Sequence, residues 1–257
     1  MTQDKYKSRF QNPEFEKVFL GYKKYILRAE IEFSRKCAAL IAPRLGYSKV
    51  NILELGAGEG SVSLGFLQKF SKTKTIKKYT AIDLSPHLVD LLEKKENHFK
   101  RYVQDVYFEC FDAEEYKPRE KYELILALNS FYGISFTVIP RLFPHLQTEG
   151  IIAVLINSQN CLTLDLTRKF SEPMASAEDF IGWLDRKNIH YKVYDLKTKR
   201  LSKKDFILEN KLNPSAELAF RYLLRRIHEP LEGVFEYLSK KSEGYFEIPQ
   251  KLVLISK

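Results

Sequence analysis

Apolar residues recur at three- and four-residue steps through the N-terminal region: Phe15, Phe19, Tyr22 and Ile26, then Phe33, Cys37, Leu40 and Ile41. That spacing predicts a long or broken amphipathic helix region ending near Pro43. The pattern then changes. VNILEL (50–55) is a short continuous apolar run, which predicts a buried strand. Gly56, Gly58 and Gly60 interrupt it, and Val62, Phe66, Leu67 and Phe70 resume helical spacing. KYTAID (78–83) predicts a second strand. SPHLVDLLEKKENHF (85–99) predicts a helix with Ser85 as N-cap and Pro86 in its first position.

The alternation continues to the end of the chain. Strands are predicted at DVYFECFDA (105–113), YELILALNS (122–130), GIIAVLINS (150–158), IHYKVYDL (189–196) and PQKLVLIS (249–256). FTVIPRLFPHL (136–146) reads as a helix broken by prolines, and AEDFIGWLDRKN (177–188) as an amphipathic helix. The expected architecture is a single Rossmann-like α/β domain over residues 1–257. It has a seven-stranded, mostly parallel sheet with helices on both faces. Within it, residues 1–45 are expected to form a helical cap and 46–200 the core. Residues 201–247 are expected to form a helical lid with two helices split near Pro230, and 248–257 the last strand. Cap and lid are expected over the carboxyl ends of the strands, where open α/β sheets bind ligands.

Composition narrows the setting. No apolar run approaches the roughly 18 residues of a membrane span. The opening MTQDKYKSRF lacks the apolar core of a signal peptide. Cys37, Cys110 and Cys161 are isolated, and the five histidines show no H-x-x-x-H spacing. Neither a disulfide framework nor a metal site is therefore expected, and the chain is expected to act as a monomer in a reducing cytoplasm. The net charge of +9 raises a nucleic-acid partner as an alternative. The lysines are spread along the chain, however, and the densest stretches, SKTKTIKK (71–78) and residues 186–204, read as solvated faces.

The chemistry concentrates at the glycine junction. Alternating glycines between a strand and a helix permit a tight turn and a close backbone approach to a ligand. No Lys-Ser/Thr follows, so a P-loop is excluded, and G-x-G-x-G departs from the dinucleotide G-x-G-x-x-G. Asp83 ends the second strand, where a carboxylate can accept from both hydroxyls of a ribose. ILELGAGEGS (52–61) resembles motif I of the class I S-adenosylmethionine-dependent methyltransferases, with Glu54 as its acidic residue. That resemblance implies S-adenosyl-L-methionine as cofactor. The Gly56 backbone would meet its amino-acid part, Asp83 its ribose and Asp112 its adenine, with Glu54, Ala57, Gly58, Gly60, Leu84, Ala113 and Leu128 also expected to bind it.

The acceptor side is read from LALNSFYGI (126–134). Enzymes that methylate base nitrogens or glutamine often carry Asp/Asn-Pro-Pro-Tyr/Phe here; Asn129 is followed by Ser-Phe-Tyr instead, which disfavours that substrate class. DFIGWLDRKNIHYKVYDL (179–196), LSKKDFI (201–207), LVLIS (252–256) and FYGI (131–134) are similar to segments of the histamine N-methyltransferase family. The similarity implies a small-molecule amine as acceptor. It places Glu30 at that family's acidic contact and Asn129 at its glutamine, with Gln250 the nearest amide to its C-terminal asparagine. Glu30, Asn129 and Tyr132 are the expected catalytic residues, with the Tyr22 and Tyr132 faces available to a cation. RNA or protein methylation, and cofactor binding without turnover, are the alternatives.

Overall fold

The structure, a computed structural model, describes residues 13–171, 173–202, 207–208, 211–212, 216–217, 220–221, 224, 231–240 and 245–256. The N-terminal stripe forms one unbroken helix, α1 (Pro13–Ile41). Ile26, Phe33, Cys37 and Ile41 are buried along it. A 3-10 turn at Ala42–Arg44 ends it, with Pro43 unable to continue the helical hydrogen bonding. The side chain of Tyr22 lies outside the described residues.

Seven strands build the main sheet: β1 (Lys49–Leu55), β2 (Thr75–Asp83), β3 (Val103–Cys110), β4 (Tyr122–Leu128), β5 (Leu146–Asn157), β6 (Tyr191–Ser202) and, after the hairpin β7 (Ile207–Leu208) and β8 (Lys211–Leu212), β9 (Tyr245–Ile255). The helices are α2 (Ser61–Phe70), α3 (Pro86–Glu93), α4 (Glu96–Phe99), α5 (Val138–Leu142), α6 (Leu162–Phe170), α7 (Ala177–Arg186) and α8 (Glu232–Lys240). Strand order is β3-β2-β1-β4-β5-β9-β6. Strands β3 through β5 are parallel, and β9 is antiparallel to both β5 and β6. This is the expected mostly parallel Rossmann-like sheet.

Strand β4 explains why the central strands read as continuous apolar runs. Leu124, Leu126 and Leu128 face the core beneath α1 and α2, while Ile125 and Ala127 face the core with α5 and α7. A sheet covered on both faces needs apolar residues at every position. From β1 the chain builds outward to β2 and β3, then crosses to β4 on the other side. That reversal opens a crevice at the carboxyl ends of β1 and β4. Helix α1 reaches the crevice by crossing α2 closely. A Cβ on Gly65 would lie 2.8 Å from Ile31 Cγ2 and 3.0 Å from Ser34 Oγ.

Several elements depart from the pattern reading, among them the helix expected over 85–99, which is split into α3 and α4, and β7 and β8, which lie within the expected helical lid. Helix α6 is too short and too polar (LTLDLTRKF) for its periodicity to register, yet it buries Leu164, Leu166 and Thr167. The described part of the insertion packs on it: Leu166 joins Ala216, Phe220, Leu224, Leu231, Val234 and Leu238 in a separate small core. Ser171 Oγ donates to the Leu224 carbonyl at 2.8 Å, and Tyr237 OH to Asp165 Oδ2 at 2.5 Å. The expected break near Pro230 lies outside the described residues. Strand β6 runs on to Ser202 and β9 begins at Tyr245, so the sheet extends into the stretch expected to be lid at both ends.

A buried carboxyl ties β1, β2 and α2 together. Glu54 is 1% exposed; its Oε1 accepts from Ser63 Oγ at 3.0 Å and its Oε2 from Tyr79 OH at 2.6 Å. Burial pushes its pKa up to about 7, against the pull of those two hydrogen bonds.

Two outcomes are expected. Gly65→Val should lower unfolding free energy by about 2 kcal/mol in urea titrations, because the added side chain overpacks the α1–α2 contact; unchanged stability would mean that α1 does not seat there. Between pH 4.5 and about 7 the folded Glu54 holds a proton that the unfolded chain has released, so its contribution to stability falls as pH rises through this window. The fall is on the order of 3 kcal/mol. Glu54→Gln should flatten the dependence, measured as urea midpoints at about pH 5 and about pH 8. Parallel profiles for the two proteins would refute the assignment.

Candidate functional site

Strand β1 delivers the chain into a loop whose three glycines all have positive φ: Gly56 +68°, Gly58 +60° and Gly60 +82°. L residues rarely adopt that conformation. Each glycine has its own further reason. A Cβ at Gly56 would meet Ser130 Cβ at 2.6 Å, and one at Gly60 would meet Leu92 Cδ2 at 2.4 Å and Phe99 Cζ at 2.9 Å. A Cβ at Gly58 would meet only Phe19 Cζ, at 3.8 Å. The outer glycines serve packing, and the middle one leaves backbone open to the crevice.

The loop is fastened to the end of β2. Gly56 N and Ala57 N both donate to the Ile82 carbonyl, at 2.8 and 3.2 Å. Gly58 N donates to Asp83 Oδ2 at 2.8 Å, and Ser85 N to Asp83 Oδ1 at 3.0 Å. Burial raises the Asp83 pKa, and the amide hydrogen bonds from Ser85, Gly58 and Leu84 oppose it. A carboxylate has about four lone-pair sites, so acceptor capacity remains for a hydroxyl. Phe111, Asp112 and Ala113 follow β3; Asp112 Oδ1 accepts from Glu114 N at 2.9 Å. The Phe111 ring stays 43% exposed at the crevice edge, with Tyr116 edge-on at 5.5 Å. Sequence reasoning used Asp112 and passed over Phe111, although an apolar residue immediately after a strand end was the available signal.

The opposite wall starts at Asn129, which has φ +59°. Its amide donates to the Leu155 carbonyl at 2.9 Å, which fixes the turn after β4. Asn129 Nδ2 makes a long 3.4 Å contact with Glu30 Oε1. Gln250 Nε2 donates to Asn129 Oδ1 at 3.0 Å and to Asn157 Oδ1 at 2.9 Å. Asn157 N donates in turn to the Tyr132 hydroxyl oxygen at 3.2 Å. Glu30, 6% exposed, accepts a 2.6 Å ion pair from Lys23 Nζ. Glu30, Asn129 and Tyr132 thus meet in one network, as does Gln250. Lys23 and Asn157 are additions that sequence reasoning missed. Ser130 Oγ and Gln250 Oε1 are buried beside it without a hydrogen-bond partner among the described residues.

Between the walls lies an open cavity. Phe19 and Lys23 of α1 cover it, and Glu54, Gly56, Ala57 and Gly58 form one side. Asp83, Leu84, Asp112, Ala113, Leu128, Asn129 and Tyr132 also line it. Gly60 packs behind the loop, and Glu30 stands behind Lys23 and Asn129. No described residue of the insertion lines the cavity. Among the described residues no group of His, Cys, Asp or Glu gathers to hold a metal. No described helix is long and apolar enough to cross a membrane.

Residues 52–149 match the sequence model of the methyltransferase domain. The malonyl-acyl carrier protein O-methyltransferase of Bacillus cereus is 29% identical over 107 residues, which are 41% of this chain and 36% of that protein. The chain thus spans about a third of the length of the curated relatives it matches first. Magnesium protoporphyrin IX methyltransferase from Synechocystis, solved with bound S-adenosylhomocysteine (SAH), superimposes with a TM-score of 0.58 at 12% identity, covering 99% of both chains. The plantazolicin methyltransferase, also in complex with SAH, gives 0.54 at 15% identity over 98% of this chain and 93% of that one. At such identities the likeness is one of fold, and it extends beyond the matched segment to nearly the whole chain. The chain therefore has the fold of these methyltransferases, and residues 52–149, which include the glycine junction, are similar to the methyltransferase domain.

Proposed function

We propose that the protein methylates a nitrogen of a small-molecule amine, in the manner of the histamine N-methyltransferase family. The observation that carries this reading is the Glu30–Asn129–Gln250–Asn157–Tyr132 network, of which Asn129 and Tyr132 line the crevice beside the glycine loop. The cofactor, when bound, supplies a methyl group already activated on a sulfonium. The open backbone at Gly58 suits its amino-acid arm, and the remaining acceptor capacity of Asp83 suits its ribose. Phe111, Asp112 and Ala113 suit the adenine, the ring by stacking and the carboxylate by accepting from an exocyclic amine.

On the acceptor side the residues have to present a neutral lone pair in line with the methyl, with reacting atoms about 3 Å apart. Glu30 stands behind Lys23 and Asn129, and once Lys23 gives way it can accept a proton or a hydrogen bond from an acceptor N–H. Asn129 holds that carboxylate, and its own amide is oriented by Gln250. Tyr132 contributes its face and its hydroxyl. Helix α1 excludes water above them through Phe19 and Lys23.

A second reading is O-methylation of a carboxylic acid. Lys23, a cation in the cavity wall, favours it, and so do the matched relatives that act on malonyl-acyl carrier protein.

Incubation with S-adenosylmethionine and a panel of amines and carboxylic acids, read by mass spectrometry for one added methyl, separates the readings. Products among the amines support the first, products among the acids the second, and none on either side refutes both. Asp83→Ala should weaken SAH binding at least about tenfold by calorimetry, since it removes the ribose acceptor and the partner of Gly58 N. Glu30→Gln should lower kcat/KM for the acceptor by roughly 100-fold while SAH affinity stays within about twofold. Equal losses in both quantities would place Glu30 in the scaffold.

A further inference from the structure

Behind the glycine loop, outside the cavity, stands an ion pair with no assigned role. Lys95 lies on the turn between α3 and α4. Its Nζ donates to the Glu59 carbonyl at 2.7 Å, to Ser61 Oγ at 3.0 Å and to the Glu59 carboxylate. An ammonium has three N–H groups, and all three here end on one short stretch of loop. Glu59 is 7% exposed, and its Oε2 also accepts from Ser61 N at 3.2 Å and Ser61 Oγ at 2.5 Å. Burial acts to raise the Glu59 pKa, but the hydrogen bonds from Lys95 and Ser61, with the Lys95 charge, outweigh it and hold the carboxyl below the usual range.

The same helical pair presses on the loop with apolar groups, since Leu92 and Phe99 fill the space a Cβ on Gly60 would need. The loop is therefore held from two sides. On the β2 side, Asp83 and the Ile82 carbonyl hold Gly56, Ala57 and Gly58. On the helical side, Lys95 holds the carbonyl of Glu59, and Glu59 directly follows Gly58, the residue whose backbone faces the cavity. None of Lys95, Glu59 and Ser61 lines that cavity, so whatever they do for a ligand they do through the loop.

We infer that Lys95 is a positioning residue for the amino-acid arm of the cofactor, clamping Glu59 and so fixing the Gly58 backbone against which that arm rests. The inference depends on the reading that the loop faces the amino-acid part of S-adenosylmethionine. Without Lys95 the Glu59 carboxylate would stay buried with only Ser61 for company, or turn outward and take the loop with it. The ribose acceptor, Asp83, belongs to β2 and keeps its Ser85 partner in either case. Loss should therefore fall on the amino-acid arm and spare the nucleoside.

Two ligands separate these parts: SAH, and methylthioadenosine, which keeps the nucleoside and thioether but lacks the amino-acid arm. Their dissociation constants are to be measured by calorimetry for the wild type, Lys95→Met and Glu59→Gln. Lys95→Met should weaken SAH about tenfold and methylthioadenosine less than about twofold. Glu59→Gln keeps the volume and the Ser61 contact, and should show the same selective loss at about threefold. If Lys95→Met does not fold, Glu59→Gln decides by the same criterion. Unchanged SAH affinity, or equal weakening of both ligands, overturns the positioning role while leaving the cofactor reading intact. A wild type that binds no SAH overturns the cofactor reading and this inference together.

Discussion

The hydrogen bond from the Gly58 amide to the Asp83 carboxylate joins two strand ends that are 25 residues apart in sequence. It fixes the loop after β1 relative to the loop after β2, and the crevice wall is built from both. The positive φ of Gly58 aims its N–H at that carboxylate and leaves no side chain on the cavity side. Asp83 is in turn held buried by a second amide, so its direction is set before any ligand arrives. A carboxylate that had to be ordered by its ligand would lose affinity to that ordering. Here the fold has ordered it already.

The opposite wall depends on a different device. Phe19, Lys23, Ile26, Glu30, Phe33 and Cys37 follow one another at steps of four, three, four, three and four along α1. They share a single stripe, and the stripe is the buried face of the helix. Its apolar members seat α1 on the sheet. Its two charged members pair with each other at 2.6 Å, which is how a buried face tolerates them. The same helical repeat that docks the cap therefore carries Lys23 to the cavity and Glu30 to Asn129.

That stripe marks the border of what the sequence makes legible. The glycine junction could be read because its residues are neighbours in the chain and its spacing is the signal. Strands β1, β4 and β5 could be read because burial on both faces leaves an unbroken apolar run. Lys23 was passed over, although an opposite charge two turns away on an apolar stripe announces a buried pair once the helical register is drawn. Contacts that depend on strand order are of another kind. Gln250 reaches Asn129 across 121 residues because β9 inserts between β5 and β6, and nothing local to either residue encodes that insertion. Lys95 and Glu59 meet across 36 residues through the packing of α3 and α4 on the loop. Helix α6 escaped because a nine-residue helix with alternating polar positions gives too few turns for a period to show.

The Lys23–Glu30 pair also sharpens the choice of acceptor. Removing one partner of a buried ion pair is costly, because the other charge is left uncompensated. An ammonium would have to stand in for Lys23 on Glu30, and a carboxylate would have to stand in for Glu30 on Lys23. The two exchanges are not equivalent. Glu30 keeps its long contact to Asn129, whose orientation Gln250 fixes, when its cation is exchanged. Lys23 lines the cavity on a flexible four-carbon stem and can turn toward a carboxylate there without leaving α1. An incoming cation therefore meets a carboxylate whose displaced partner has somewhere to go. An incoming anion draws Lys23 away and leaves Glu30 buried with only the long contact to Asn129. On this asymmetry the amine reading requires the smaller rearrangement of the two.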